Sequence, residues 1–105
     1  MQSPVQTKSE LITRLIQNSG RIQQYGVKQL GIFGSFVRDE AKVNSDVDFF
    51  IDFYQKKKTF DNFMDLAFYL EELTGRKIEL LTPQSLNQFI GKYIVKEVEY
   101  VSLIA

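Results

Sequence analysis

The sequence predicts a small α/β (α+β) domain, a short mixed β-sheet packed with helices. Three observations lead there. Apolar residues follow helical spacing in some stretches and alternation or short continuous runs in others. The two kinds of segment succeed one another as helix, strand, strand, helix, strand, helix. The chain has 105 residues, 44% hydrophobic and 13% aromatic, which suits one packed core. No repeat, linker or low-complexity segment interrupts it, so residues 1–105 are expected to form a single domain.

The elements follow in order. Met1 to Gln6 has no periodic pattern and reads as a loose leader. Thr7 and Glu10 have the spacing of a capping box, and Leu11, Ile12, Leu15 and Ile16 then mark a helix. Asn18-Ser19-Gly20 ends or bends it. A short helical piece from Arg21 to Tyr25 follows, closed by Gly26. Val27 to Phe33 is a largely buried strand ended by Gly34-Ser35, after which Phe36 to Arg38 is a candidate helical turn. The second strand runs from about Asp46 to Phe53, and a basic connection, Tyr54 to Thr59, follows it. A helix from roughly Asp61 to Leu73 comes next, capped by Thr59 or Asp61, its apolar side including Ala67, Phe68 and Leu70 to Leu73 and its stop at Thr74-Gly75. Arg76 to Leu81 is a third short strand. Thr82-Pro83 starts another helix as N-cap and first residue. Ile90, Ile94, Val98 and Val101 fall at i, i+4, i+8 and i+11 and predict a last amphipathic helix over roughly Gly91 to Leu103.

Composition narrows the chemistry. With no cysteine there are no disulfides or thiolate metal sites, which fits a reducing compartment. With no histidine, the usual general base, the usual zinc ligand and every Ser-His scheme are excluded. Any metal is then held by oxygen, which favours magnesium, manganese or calcium. The charges balance, 13 basic against 13 acidic, so a general electrostatic grip on nucleic acid is not indicated. Lys56-Lys57-Lys58 reads first as a solvated loop. No apolar run approaches the ~20 residues of a membrane span, and the chain starts without a signal-peptide pattern, so a cytoplasmic protein is expected.

Function concentrates between Leu30 and Phe53. On a strand, Asp46, Asp48, Phe50 and Asp52 share one face, while Val47, Phe49, Ile51 and Phe53 share the other, a core face. The Cα atoms of Asp46 and Asp48 are then roughly 6.6 Å apart, two rises of the strand. Such a pair can converge on hard cations. Asp52 lies about 13 Å beyond Asp48 and reads as a surface residue. Gly34 lets the backbone turn and approach a ligand closely. The N–H groups of a turn starting at Ser35, its hydroxyl and Arg38 one turn on make a candidate anion site. Gly-Ser alone is an ordinary turn, and a lone aspartate at a strand start is ordinary too; together they point to a magnesium-assisted phosphate chemistry that needs no histidine. Glu79 is the candidate third carboxylate, and equally reads as the exposed face of an edge strand. Neither a P-loop nor a dinucleotide fingerprint is present.

Gly34-Ser35-Phe36-Val37-Arg38 followed by Ser45-Asp46-Val47-Asp48-Phe49 resembles the signature of the DNA polymerase beta superfamily of nucleotidyltransferases, and the short length resembles its minimal nucleotidyltransferase (MNT) branch. The resemblance runs from the helix before Leu30 to Ile94-Val95-Lys96-Glu97-Val98. It implies a nucleotidyltransferase-like fold in which Gly34 and Ser35 hold the triphosphate and Asp46 and Asp48 bind magnesium or manganese. Glu79 stands where the family pattern has a third carboxylate, usually aspartate, and is one methylene longer. Arg38 matches a position that is often arginine in the minimal branch. Many such proteins pair with a helical HEPN-domain toxin and neutralise it by moving AMP from ATP to a tyrosine of that partner. The resemblance therefore implies an antitoxin, a HEPN-domain partner, ATP as donor and a hetero-oligomer. The competing expectation is a silent module that neutralises by contact, docking through the last helix with Tyr93 and Tyr100.

Overall fold

The chain organises around β2 (Val47–Phe53), an inner strand whose alternation decides both faces of the sheet. In the computed structural model, which describes residues 2–86 and 88–103 and no side chains at 88–90, it lies between β1 (Val27–Phe33) and β3 (Ile78–Leu81). A fourth strand, β4 (Glu99–Val101), completes the order β3-β2-β1-β4. β1 runs antiparallel to both β2 and β4, whereas β2 and β3 are parallel. The sheet is therefore mixed and the class α+β, as expected.

Val47, Phe49, Ile51 and Phe53 enter the main core together with Leu30 and Ile32 of β1. Helices cover this face. α1 (Lys8–Gln17) contributes the fully buried Leu11 and Leu15, each stabilising the fold by about 1.5–3 kcal/mol relative to exposure. The Thr7 side chain accepts from the Glu10 N–H as foreseen. The return bond of the capping box goes one residue earlier, from the Gln6 N–H to Glu10 Oε1 at 2.9 Å. The chain bends at Asn18 into α2 (Ser19–Gln24), and Gly26 follows at φ +82°. α3 (Phe60–Thr74) is capped by Thr59 and ends on Gly75 at φ +69°, with Leu66, Leu70 and Leu73 inward. Phe68, read as apolar-side, is exposed: it lies two residues from both Leu66 and Leu70, off their stripe.

Two further expectations are corrected. The segment before α1 is not loose: Val5 is fully buried, and the Gln2 and Val5 N–H groups bond to the Glu72 and Thr74 carbonyls at the end of α3. The stretch after Pro83 makes only one 3-10 turn, Pro83–Ser85, although Thr82 caps it as expected. α4 (Gln88–Glu97) then stops short of Leu103, because Glu99, Tyr100 and Val101 pair with Ile32, Gly31 and Leu30. The helical spacing of Ile94, Val98 and Val101 is real, but the open edge of β1 claims the last of them for the sheet, where Val101 joins the main core. Ile90 of that stripe lies outside the described side chains.

α4 covers part of the second face. Ile94 and Val98 pack on Phe33 and Phe50, forming a smaller cluster on the carboxylate side of the sheet. Gly31 makes this possible: a Cβ there would meet Val98 Cγ1 at 2.5 Å.

Candidate active site

The site lies on the second face, where β1 ends and β2 and β3 begin. Gly34 leaves β1 at φ +79° and starts a 3-10 turn, Gly34–Phe36, anchored by the fully covered Phe36. The positive φ favours glycine, and so does space: a Cβ on Gly34 would lie 2.0 Å from Asp48 Oδ2. The turn expected to hold phosphate and the carboxylate expected to hold metal are thus in contact.

Phe33 pairs with Asp48, and Asp48 pairs with Glu79 across the parallel β2–β3 ladder. Strand parity keeps Asp48 and Glu79 on one face, opposite the core set. Asp46 stands just ahead of β2 and is exposed; Asp48 is half-buried; Glu79 is exposed on the edge strand. Glu79 is thus an exposed residue of the edge strand, and the parallel ladder sets it opposite Asp48. Asp52 pairs with Gln29 farther along the strand and stays outside the group.

Burial first, then the charge and hydrogen bonding of Glu79, then the charges of Asp46 and Glu97, push the Asp48 carboxyl from its ordinary 3.8 up to about 6. A carboxylate held this way repels its neighbours until a cation joins them. The oxygen-only donor set of Asp46, Asp48 and Glu79 suits magnesium or manganese. Among the described residues no three such groups already close into a ready cage, so an ion would draw their side chains inward.

Arg38 and Glu97 complete the surroundings. The Gly34 N–H donates to Glu97 Oε1 at 3.1 Å, and Arg38 Nη1 donates to the same oxygen. Arg38 Nε also reaches Glu40 Oε2 at 3.3 Å. Glu97 was not singled out from sequence. One signal was available: a carboxylate in the last turn of a helix opposes the helix dipole, so it needs partners elsewhere.

Behind the site sits Arg76, 8% exposed, which the sequence suggested only as a strand start. Its guanidinium donates to the carbonyls of Val5 at 2.6 Å, Lys42 at 2.9 Å, Val43 at 3.2 Å and Ser45 at 2.9 Å, and lies over the Phe36 ring. It ties the loop before Asp46 to the core.

Comparison with known proteins identifies the family. The family model described as nucleotidyltransferase domain matches residues 9–101. The chain belongs to the nucleotidyltransferase domain family. Within that family it is 42% identical over 79 residues to the protein adenylyltransferase MntA of Thermococcus cleftensis, covering 75% of this chain and 79% of the relative. Its fold is similar to a solved structure described as a candidate minimal nucleotidyltransferase, with TM-score 0.77 and 22% identity over 89% of this chain and 94% of that one. It is also similar to a chain in the complex of the tri-AMPylated HEPN toxin of Shewanella oneidensis with its MNT antitoxin, with TM-score 0.56, 14% identity and coverage of 84% and 71%. At those identities the two structures speak for the nucleotidyltransferase fold alone.

Proposed function

We propose that this nucleotidyltransferase domain, working as one unit over residues 1–105, transfers AMP from ATP to a hydroxyl of a protein partner. The partner class is a HEPN-domain toxin and the chain its antitoxin, assembling as a hetero-oligomer. The observation that carries the reading is the contact of Gly34 with Asp48, which joins a phosphate-sized turn to an acidic face. The adenylyltransferase relative, and the AMPylated toxin seen beside a similarly folded antitoxin, supply the substrate class.

Asp46, Asp48 and Glu79 would hold magnesium or manganese, which supplies charge neutralisation and polarises the phosphate oxygens. The Gly34 N–H, the Ser35 hydroxyl and the Arg38 guanidinium grip the β- and γ-phosphates, leaving the α-phosphate toward the carboxylates. Glu79, exposed at the sheet edge, faces an incoming partner and orients its hydroxyl. The acceptor oxygen gives its proton to a carboxylate of the site and bonds to the α-phosphorus as the bond from that phosphorus to the oxygen bridging the β-phosphate breaks, and pyrophosphate departs. A donor such as ATP and the absence of cysteine fit a cytoplasmic setting.

The contact-only reading draws on one observation, that no carboxylate cage is closed among the described residues. One experiment separates the two. ATP labelled on the α- or the γ-phosphate is incubated with magnesium, the chain and a co-expressed HEPN partner. Transfer of α-label alone, lost in Asp46→Asn/Asp48→Asn, is the expected result. Transfer of γ-label overturns the mechanism. Neutralisation without either label overturns the enzyme reading in favour of contact.

A further inference from the structure

We propose that Glu97 is a resident occupant of the triphosphate cradle, a carboxylate that holds the place of a phosphate oxygen until nucleotide displaces it. The inference rests on the reading of Gly34 and Arg38 as phosphate-holding groups.

The hydrogen bonds state the case. One oxygen, Glu97 Oε1, accepts from both the Gly34 backbone N–H and the Arg38 guanidinium. A backbone N–H at the head of a turn and a charged guanidinium aimed at one oxygen are what an anionic phosphate oxygen takes. The single Gly34 N–H cannot serve Glu97 and a triphosphate at once, and the Nη1 edge of Arg38 turned to Glu97 is turned away from a ligand. Arg38 keeps a second partner in Glu40, so it need not leave with Glu97.

The fold holds Glu97 there. It is the last residue of α4, and the next residue, Val98, seats in the space that Gly31 leaves on β1. Ile94, one turn earlier, is buried on the same small cluster. The helix end therefore cannot swing away without losing apolar contacts, and the carboxylate yields by rotating its own side chain. That side chain is 29% exposed, so solvent offers it a way out. Its placement is not explained by the helix, whose C-terminal dipole disfavours a negative charge. While it stays, Glu97 adds negative charge beside Asp48, where the triphosphate must settle. The consequence is an intrinsic weakening of nucleotide affinity, and a preference for ligands whose own bound cation offsets that charge.

The test is calorimetric titration of the full chain with ATP in excess magnesium, without partner. Wild type, Glu97→Gln, Glu97→Ala and, as a surface control, Glu99→Gln are compared, each checked for an unchanged fold by thermal melting. Glu99 pairs with Lys8, whereas Gly34 and Arg38 donate to Glu97 and Glu40. The expected result is a Kd about tenfold lower for both Glu97 variants, with the control unchanged. An unchanged or higher Kd in Glu97→Ala, with wild type still binding, overturns the proposal and leaves the cradle assignment standing. No binding by any variant overturns the cradle assignment and the proposal with it.

Discussion

Gly34 and Asp48 approach so closely that a methyl group on residue 34 would lie 2.0 Å from Asp48 Oδ2. The same residue has φ +79°, so Gly34→Ala carries two penalties. The left-handed backbone alone costs about 1–2 kcal/mol. The clash must then be relieved by moving the Asp48 carboxylate out of the acidic face. Gly34→Ala is expected to lower Tm by roughly 4–8 °C for each kcal/mol lost and to reduce AMP transfer far more than stability. Melting curves and labelled-ATP assays on the same preparation check both.

Asp48 gives a pH signature. Its carboxyl titrates near 6 in the fold against an ordinary 3.8, so between those values the folded protein binds more protons than the unfolded chain. This contribution to metal-free stability is fully present below about pH 4 and is lost as pH rises through about 6. Asp48→Asn removes the buried charge. It is expected to melt higher than wild type above pH 6 without metal and to lose at least roughly a hundredfold of transfer activity. Magnesium held as proposed would take the ionised form, so its affinity should rise from pH 5 to 7 and then level, with proton release seen by calorimetry in buffers of different ionisation heat.

Much of this site is legible in the chain because it depends on local rules. Strand parity alone separates Asp46 and Asp48 from the Val47–Phe53 core face, and a glycine after an apolar strand marks the turn. Glu79 follows by the same parity once β3 is recognised, although only the parallel register brings it opposite Asp48. What escaped depends on distant partners. The open edge of β1 turns Glu99–Val101 into a strand, and nothing in the helical spacing of Val98 and Val101 announces that. The N-terminal segment looks aperiodic because it is held by backbone hydrogen bonds to the end of α3, far along the chain. Glu97 and Arg76 read as helix-end and strand-start charges, since their partners lie 63 and 71 residues away at the longest.

Glu79 separates metal holding from simple surface charge. Its carboxylate is the largest influence on Asp48 after burial. Glu79→Gln should therefore lower the Asp48 titration and weaken magnesium binding together, moving the rise in affinity to lower pH. Glu79→Asp restores the charge with a shorter reach and is expected to recover part of the transfer rate. If Glu79→Gln left the rate and the pH dependence of magnesium binding unchanged, Glu79 would be only a surface residue of the edge strand.

Arg76 carries the strongest structural expectation. It is buried, without a carboxylate partner among the described residues, and its guanidinium donates to four backbone carbonyls, from Val5, Lys42, Val43 and Ser45. Ser45 immediately precedes Asp46, so the guanidinium positions the first carboxylate through the loop that carries it. Lysine keeps the charge but has no planar fork to reach the same carbonyls. Arg76→Lys leaves several of them unpaired and is expected to cost roughly 2–4 kcal/mol. Hydrogen exchange should quicken at Val5 and around residues 42–47, while the α1 amides hold their protection relative to global stability. Because the loop bears Asp46, magnesium affinity should fall as well, and the added magnesium should restore less thermal stability to Arg76→Lys than to wild type. A variant that lost stability evenly while binding magnesium as wild type does would reduce Arg76 to a core residue with no hold on the site.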